Sequence, residues 1–184
     1  HQVLRDATAV FFTSEHEKLG AQAAFKPFSA RPIVTPYGTV DPLVDLQNHQ
    51  LEFAKHYPEL SGRRYLLYLS RLHEKKGVDL LINAFAAIAT SYPQLELLLA
   101  GPVSPEYELV LNSLLEKVSP GARSRIKRLS MISGADKWGA LAGAEALVLP
   151  SHQENFARVV SEALSCSTPV LISNKVNIWN TIAS

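Results

Sequence analysis

Residues 65–101 read YLLYLSRLHEKKGVDLLINAFAAIATSYPQLELLLAG. Two continuous apolar runs, YLLYLS (65–70) and LELLLAG (95–101), flank a segment in which Val78, Leu81, Phe85 and Ile88 recur three, four and three residues apart. An apolar run without polar alternation is what a parallel strand needs when both its faces are covered. The three-four-three spacing is one face of a helix. Strand, helix and strand in that order predict a parallel pair joined by a right-handed crossover.

Working outward, the rhythm continues. PEYELVLNSLLEKV (105–118) predicts a helix, RIKRLS (125–130) a weaker strand and DKWGALAGAE (136–145) another helix. ALVLP (146–150) is a strand, ARVVSEALS (157–165) a helix, TPVLIS (168–173) a strand, and VNIWNTIAS (176–184) opens a last helix. The alternation predicts an α/β fold with a doubly wound parallel sheet. Upstream, AVFFTS (9–14) and PIVTP (32–36) read as strands around a helical EHEKLGAQAAF (15–25). TPYGTVDP (35–42), with two prolines and a glycine, reads as a linker and domain boundary. LVDLQNHQLEFAKHYPEL (43–60) is then an amphipathic helix ended by Pro58.

Composition narrows the function classes. The chain has 184 residues, 47% hydrophobic and 19% charged, enough for a proper core. Eighteen basic against 17 acidic residues leave +1, so no global field exists to draw nucleic acid or an acidic membrane. Cys166 has no second cysteine to pair with, which fits a reducing compartment. No apolar run approaches the roughly 18 residues of a spanning helix, and a cytoplasmic location is expected, with peripheral membrane attachment open to a longer protein. The chain reads as an excerpt of something longer.

Ligands of open parallel sheets sit beyond the carboxyl ends of the strands. Three loops are therefore suspects: SRLHEKKG after 65–70, AGPVSPE after 95–101, and PSHQENF after 146–150. No G-x-G-x-x-G follows a strand, which counts against a dinucleotide fold of the dehydrogenase kind. The first loop sets Arg71, Lys75 and Lys76 within six residues, and a guanidinium fork with an ammonium suits a diphosphate. The plain alternative is a solvated basic loop. His73 has no partner at ligand spacing and reads as a surface or supporting residue.

In the third loop, Glu154 precedes a helix start and can accept bonds from sugar or ribose hydroxyls. Asn155 is a candidate N-cap, and the first helix amides with their dipole favour a phosphate. Phe156 would wall such a pocket. Glu162 shares the polar side of the helix with Arg158, so an ordinary i,i+4 ion pair competes with a binding role. His152 beside Glu154 lacks further ligands, so no metal is expected.

YLSRLHEKKGVDLLINAF, LLLAGP and LVLPSHQENFARVVSEALSCSTPVLISNKVNIW resemble the retaining glycosyltransferases of family 4, also called glycosyl transferases group 1. The resemblance runs over about residues 33–184, with the family's E-x7-E spacing held by Glu154 and Glu162. It implies the GT-B architecture of two Rossmann-like domains facing a cleft, of which the C-terminal one binds a nucleotide-sugar donor. On that scheme residues 1–34 are the tail of the N-terminal acceptor domain and 35–42 the linker. Residues 43–184 are then the donor domain, incomplete at its C-terminus. Arg71 and Lys76 would hold the diphosphate, Glu154 the transferred sugar and Glu162 the ribose, with amides around Phe156, Ala157 and Arg158 at the sugar or phosphate. Glu154, Arg71 and Lys76 would carry catalysis. No metal or other cofactor is implied, transfer retains anomeric configuration, and the fragment alone would not turn over. The acceptor stays unnamed.

The chain departs from the family where Ala157, Ser167 and Ser130 replace frequent glycines. At 157 the added methyl would crowd the sugar, and at 167 a serine would be strained if φ is positive. Ser70 and Tyr37 are milder departures. These changes keep two rivals in view: a decayed, non-catalytic nucleotide-sugar-binding module, and a related epimerase or phosphorylase. Base selectivity is expected in the loops near Gly101–Pro102 and Met131–Gly134.

Overall fold

The computed structural model describes residues 2–35, 37–40 and 42–183. The N-terminal unit holds α1 (Gln2–Asp6), β1 (Ala9–Phe12), α2 (Glu15–Ala24) and β2 (Arg31–Val34). β1 and β2 pair in parallel, Ala9 opposite Arg31, with α2 as their crossover. Ser14 caps α2 by accepting from the Glu17 N–H at 3.1 Å. Pro36 and Asp41, within the expected linker, lie outside the described residues.

The second unit opens with a 3₁₀ turn and α3 (Leu46–His56). The helix expected over 43–60 stops earlier than predicted. Pro58 does end it: Tyr57, the residue before the proline, leaves the helical region and closes α3, and Pro58, whose fixed φ suits a first helical position, starts a separate 3₁₀ turn. Then follow β3 (Arg64–Leu69), α4 (Val78–Ile88), β4 (Leu95–Ala100), α5 (Pro105–Glu116), α6 (Pro120–Arg123) and β5 (Ile126–Leu129). The chain continues through α7 (Gly134–Gly143), β6 (Ala146–Leu149), α8 (Arg158–Ser165), β7 (Val170–Ile172) and α9 (Trp179–Ala183). The short helices α1 and α6 were not expected.

These five strands form one parallel sheet in the order β5-β4-β3-β6-β7. The order reverses between β3 and β6, which is where a crevice opens at the carboxyl edge. Leu67, Leu97, Leu98, Leu99 and Leu147 are wholly buried, as strands covered on both faces require. The Tyr65 hydroxyl donates to the Ala140 carbonyl and the Thr168 hydroxyl to that of Leu141, seating α7 on the sheet. The doubly wound α/β architecture matches the sequence reading. Among the described residues no helix is long and apolar enough to cross a membrane.

Candidate functional site

The loops leaving β3 and β6 meet at the switch point. Their approach depends on glycine. Gly77 has φ +68, and a Cβ there would sit 2.0 Å from the Pro150 carbonyl oxygen. On the other side of the β3 loop, Gly101, which follows β4 at φ +145, passes the Ser70 carbonyl just as closely, 2.0 Å from where a Cβ would be. Backbone bonds fix the β3 loop on both sides: His152 N–H donates to the Lys75 carbonyl (2.9 Å) across the seam with the β6 loop, and Leu72 N–H to that of Pro102 (2.8 Å) in the β4 loop. The Tyr68 hydroxyl donates to the Arg71 carbonyl at 2.9 Å. Burial pushes that phenol's pKa up, so it stays a donor.

Across this seam the Lys76 ammonium donates to Glu154 Oε2, and each side chain is only 17% exposed. Glu154 Oε1 accepts the Asn155 N–H at 3.1 Å. The backbone of Glu154 is clamped as well. Its N–H donates to the Lys175 carbonyl (3.1 Å), and its carbonyl accepts the Asn177 N–H (3.0 Å), a short parallel bridge to Val176. Beside the pair lies a cleft of about 480 Å³ lined by Tyr37, Ser70, Lys76, Glu154, Asn155, Phe156, Ala157, Arg158 and Val159, among others. Buried Phe156 walls it and meets Tyr37 edge-on, centroids 5.2 Å apart.

Arg71 is exposed and does not line this cleft, although Ser70 beside it does. Glu162 lies outside the lining too. In place of the competing i,i+4 pair with Arg158, Glu162 takes a bond from Lys137 on α7, Nζ to Oε1 at 2.9 Å, because this face of α8 packs toward α7. Lys137 also sits 4.2 Å over the Trp138 ring.

Asn155 is not the N-cap. That place belongs to Ala157, held in the left-handed region at φ 55, ψ 69, with no side-chain cap. The turn into α8 uses a conformation suited to glycine, and Asn155 stands too far before it to reach the helix amides. Its side chain instead donates to Thr13 Oγ1 (3.0 Å) and accepts from Asn177 (3.2 Å). Thr13, in turn, donates through N–H and hydroxyl to Glu17 Oε2, at 2.7 and 2.8 Å.

Ser167 has φ 60, as the glycine argument anticipated, whereas Ser130 has no positive φ and carries no such strain. His152 faces Asp79 (3.4 Å) and not a ligand set with Glu154. His73 stacks on Tyr107. Among the described residues no group of three or more His, Cys, Asp or Glu is gathered as metal ligands. Sequence reasoning missed Lys137, Thr13, Glu17 and Asn177. Only Glu17 carried a local signal, the S-x-x-E of a capping box at 14–17.

The fold resembles the C-terminal Rossmann-like domains of GT-B glycosyltransferases. WaaG, a glycosyltransferase involved in lipopolysaccharide biosynthesis, superposes with a TM-score of 0.77 at 23% identity, over 94% of this chain and 46% of that one. HepE from Anabaena, solved in complex with UDP-glucose, gives 0.73 at 23% identity over 97% and 48%. Among curated proteins, the mannosylfructose-phosphate synthase of Agrobacterium fabrum is 31% identical over 124 residues, 65% of this chain and 27% of its own length. A glycogen synthase of Mycobacterium tuberculosis is 31% identical over 122 residues, 66% and 28%. The chain thus spans about a quarter of the length of these curated relatives. The family model for glycosyl transferases group 1 matches residues 50–183, from α3 to α9, and the protein belongs to that family.

Proposed function

We propose that the chain is the donor-binding part of a retaining, metal-independent family 4 glycosyltransferase, moving a sugar from a nucleoside-diphosphate sugar to an acceptor hydroxyl. Residues 43–184 are the donor domain, 35–42 the linker, and 1–34 belong to an acceptor domain whose remainder supplies the other wall. One observation carries the reading: Lys76, Glu154 and the amino end of α8 converge on one cleft at the switch point of the sheet. HepE, with the same fold, is solved with UDP-glucose.

The chemistry follows from charge. A diphosphate entering the cleft takes Lys76 from Glu154, so phosphate oxygens replace a carboxylate at the ammonium. Glu154 Oε2 is then free to accept sugar hydroxyls. Lys76 and the exposed Arg71, with the dipole of α8, stabilise the negative charge that grows on the leaving nucleoside diphosphate. Fixed cations of this kind fill the role a divalent ion plays elsewhere. Glu162, held by Lys137, presents its second oxygen to the ribose. The fragment without the rest of its acceptor domain does not turn over.

A calorimetric screen of UDP-, GDP- and ADP-sugars, repeated with Glu162→Ala, tests this. The substitution should weaken the best donor and its free nucleotide alike, by about tenfold. Equal affinities would return Glu162 to a purely structural ion pair with Lys137. A second reading, a non-catalytic sugar-nucleotide-binding module, is favoured by one feature: Ala157 and Ser167 carry side chains in left-handed conformations. Sugar transfer by a chain completed with its acceptor domain would dismiss it.

A further inference from the structure

Asn155 sits next to the carboxylate proposed to grip the sugar, yet its own side chain is spent elsewhere. It reaches 142 positions back to Thr13, at the end of β1, with 3.0 Å from Nδ2 to Oγ1. The hydrogen bonds then run in one direction. Asn177 Nδ2 donates to Asn155 Oδ1, Asn155 donates to Thr13, and Thr13 donates to Glu17. The relay ends on a carboxylate, the natural sink for such a chain. From the middle of the relay, the backbone N–H of Asn155 donates to Glu154 Oε1. All four side chains are partly buried. Burial would raise the Glu17 pKa, but bonds from the Thr13 N–H, Asn155 and the Thr13 hydroxyl outweigh it and hold the carboxyl below its ordinary value. The sink is therefore anionic at neutral pH.

Without Asn155 the loop 152–156 still has its backbone clamps to Lys75 and to residues 175–177. Those clamps fix the chain path. The orientation of the Glu154 carboxylate depends further on the Asn155 amide plane and on Lys76. Because Lys76 turns to phosphate when a donor binds, the Asn155 N–H becomes the fixed point for Glu154.

We infer that Thr13 and Glu17 of the N-terminal unit are positioning residues for the sugar-gripping carboxylate Glu154, acting through the side chain of Asn155. This rests on the donor-site reading and adds a coupling to it. The donor loop is held for sugar recognition only when β1–α2 is seated against it. Grip on the diphosphate, supplied by Lys76 and α8, is indifferent to the relay.

The test uses the full chain and compares the best-bound of UDP-glucose, GDP-mannose and ADP-glucose with its own nucleoside diphosphate, by calorimetry. Thr13→Val keeps the shape but breaks the relay. The sugar nucleotide should weaken by on the order of fivefold, while the nucleoside diphosphate keeps its affinity. Thr13→Ser, which keeps the hydroxyl, should restore the sugar nucleotide's affinity and leave the nucleoside diphosphate's unchanged. Should Thr13→Val not fold, Asn177→Ala, which removes the donor to Asn155 from the other side, gives the same readout with the same expectation. An unchanged sugar preference in the Val variant, or equal weakening of both ligands, overturns the inference and leaves the donor site standing. Failure of the unaltered chain to bind any of the three overturns both together.

Discussion

Two lysine–glutamate pairs of near-equal burial hold the two acids of the E-x7-E motif, and they are built differently. Lys76 and Glu154 come from loops on opposite sides of the sheet's switch point, 17% exposed each, and both line the cleft. Lys137 and Glu162 sit on neighbouring helices, 23% and 18% exposed, and neither lines it. The first pair spans a seam that ligand can enter. The second is a helix–helix contact that orients one acid from behind. Similar burial therefore does not mean similar work: on the proposed donor site, one pair opens to a diphosphate while the other stays closed.

The heaviest blow to the first pair that leaves the second alone is Gly77→Ala. The added methyl would lie 2.0 Å from the Pro150 carbonyl oxygen at a backbone φ of +68, so loop and strand end must part. Left-handed strain alone costs about 1–2 kcal/mol, and the clash with rigid backbone adds to it. We expect a loss of about 3 kcal/mol or more in urea denaturation, together with loss of donor binding. A stable variant that still binds would show that the two loops need not touch.

Milder substitutions separate the pairs directly. Lys76→Met leaves the mostly enclosed Glu154 without its cation and should cost about 1–2 kcal/mol, short of the loss at a fully buried pair. It should also weaken both inorganic pyrophosphate and the best nucleoside diphosphate by tenfold or more. Lys137→Met should cost about 1 kcal/mol, part of it the contact over the Trp138 ring. If Glu162 grips ribose as proposed, the substitution should weaken the nucleoside diphosphate several-fold while leaving pyrophosphate unaffected. Identical behaviour toward pyrophosphate would erase the distinction.

Much of this was legible in the sequence for a physical reason. Strands covered on both faces and one-faced helices leave periodic traces, so β3, β4, α5, β6 and α8 fall within a residue or two of their expected spans, and α4 starts where expected but ends at Ile88. Loop placement then followed from topology, which brought Lys76 and Glu154 together on paper. What the sequence could not show is pairing between elements far apart in the chain. Lys137 lies 25 positions from Glu162, and Thr13 lies 142 from Asn155. No local spacing encodes either. Asn155 has the side chain of a capping residue, but the backbone places the N-cap of α8 two residues beyond it. The loop needed one more turn, and Ala157 takes it in a left-handed conformation.

Ala157 and Ser167 bracket α8, one beside each pair's end of the helix, and both hold positive φ at 55 and 60. Replacing either with glycine relieves roughly 1–2 kcal/mol of left-handed strain and returns about 0.5–1 kcal/mol through the greater freedom of the unfolded glycine. The net expected gain is small, about 0.5–1 kcal/mol for each variant, read from the denaturation midpoint at unchanged slope. Ligand binding should divide them where stability does not. Only Ala157 lines the cleft, and only its methyl occupies room beside Phe156 and Glu154. Ala157→Gly should therefore tighten sugar-nucleotide binding by a few-fold, and Ser167→Gly should leave it unchanged. If both variants tighten binding equally, the effect travels through the stability of α8, and the cleft at its amino end is less separate from its carboxyl end than the two pairs imply.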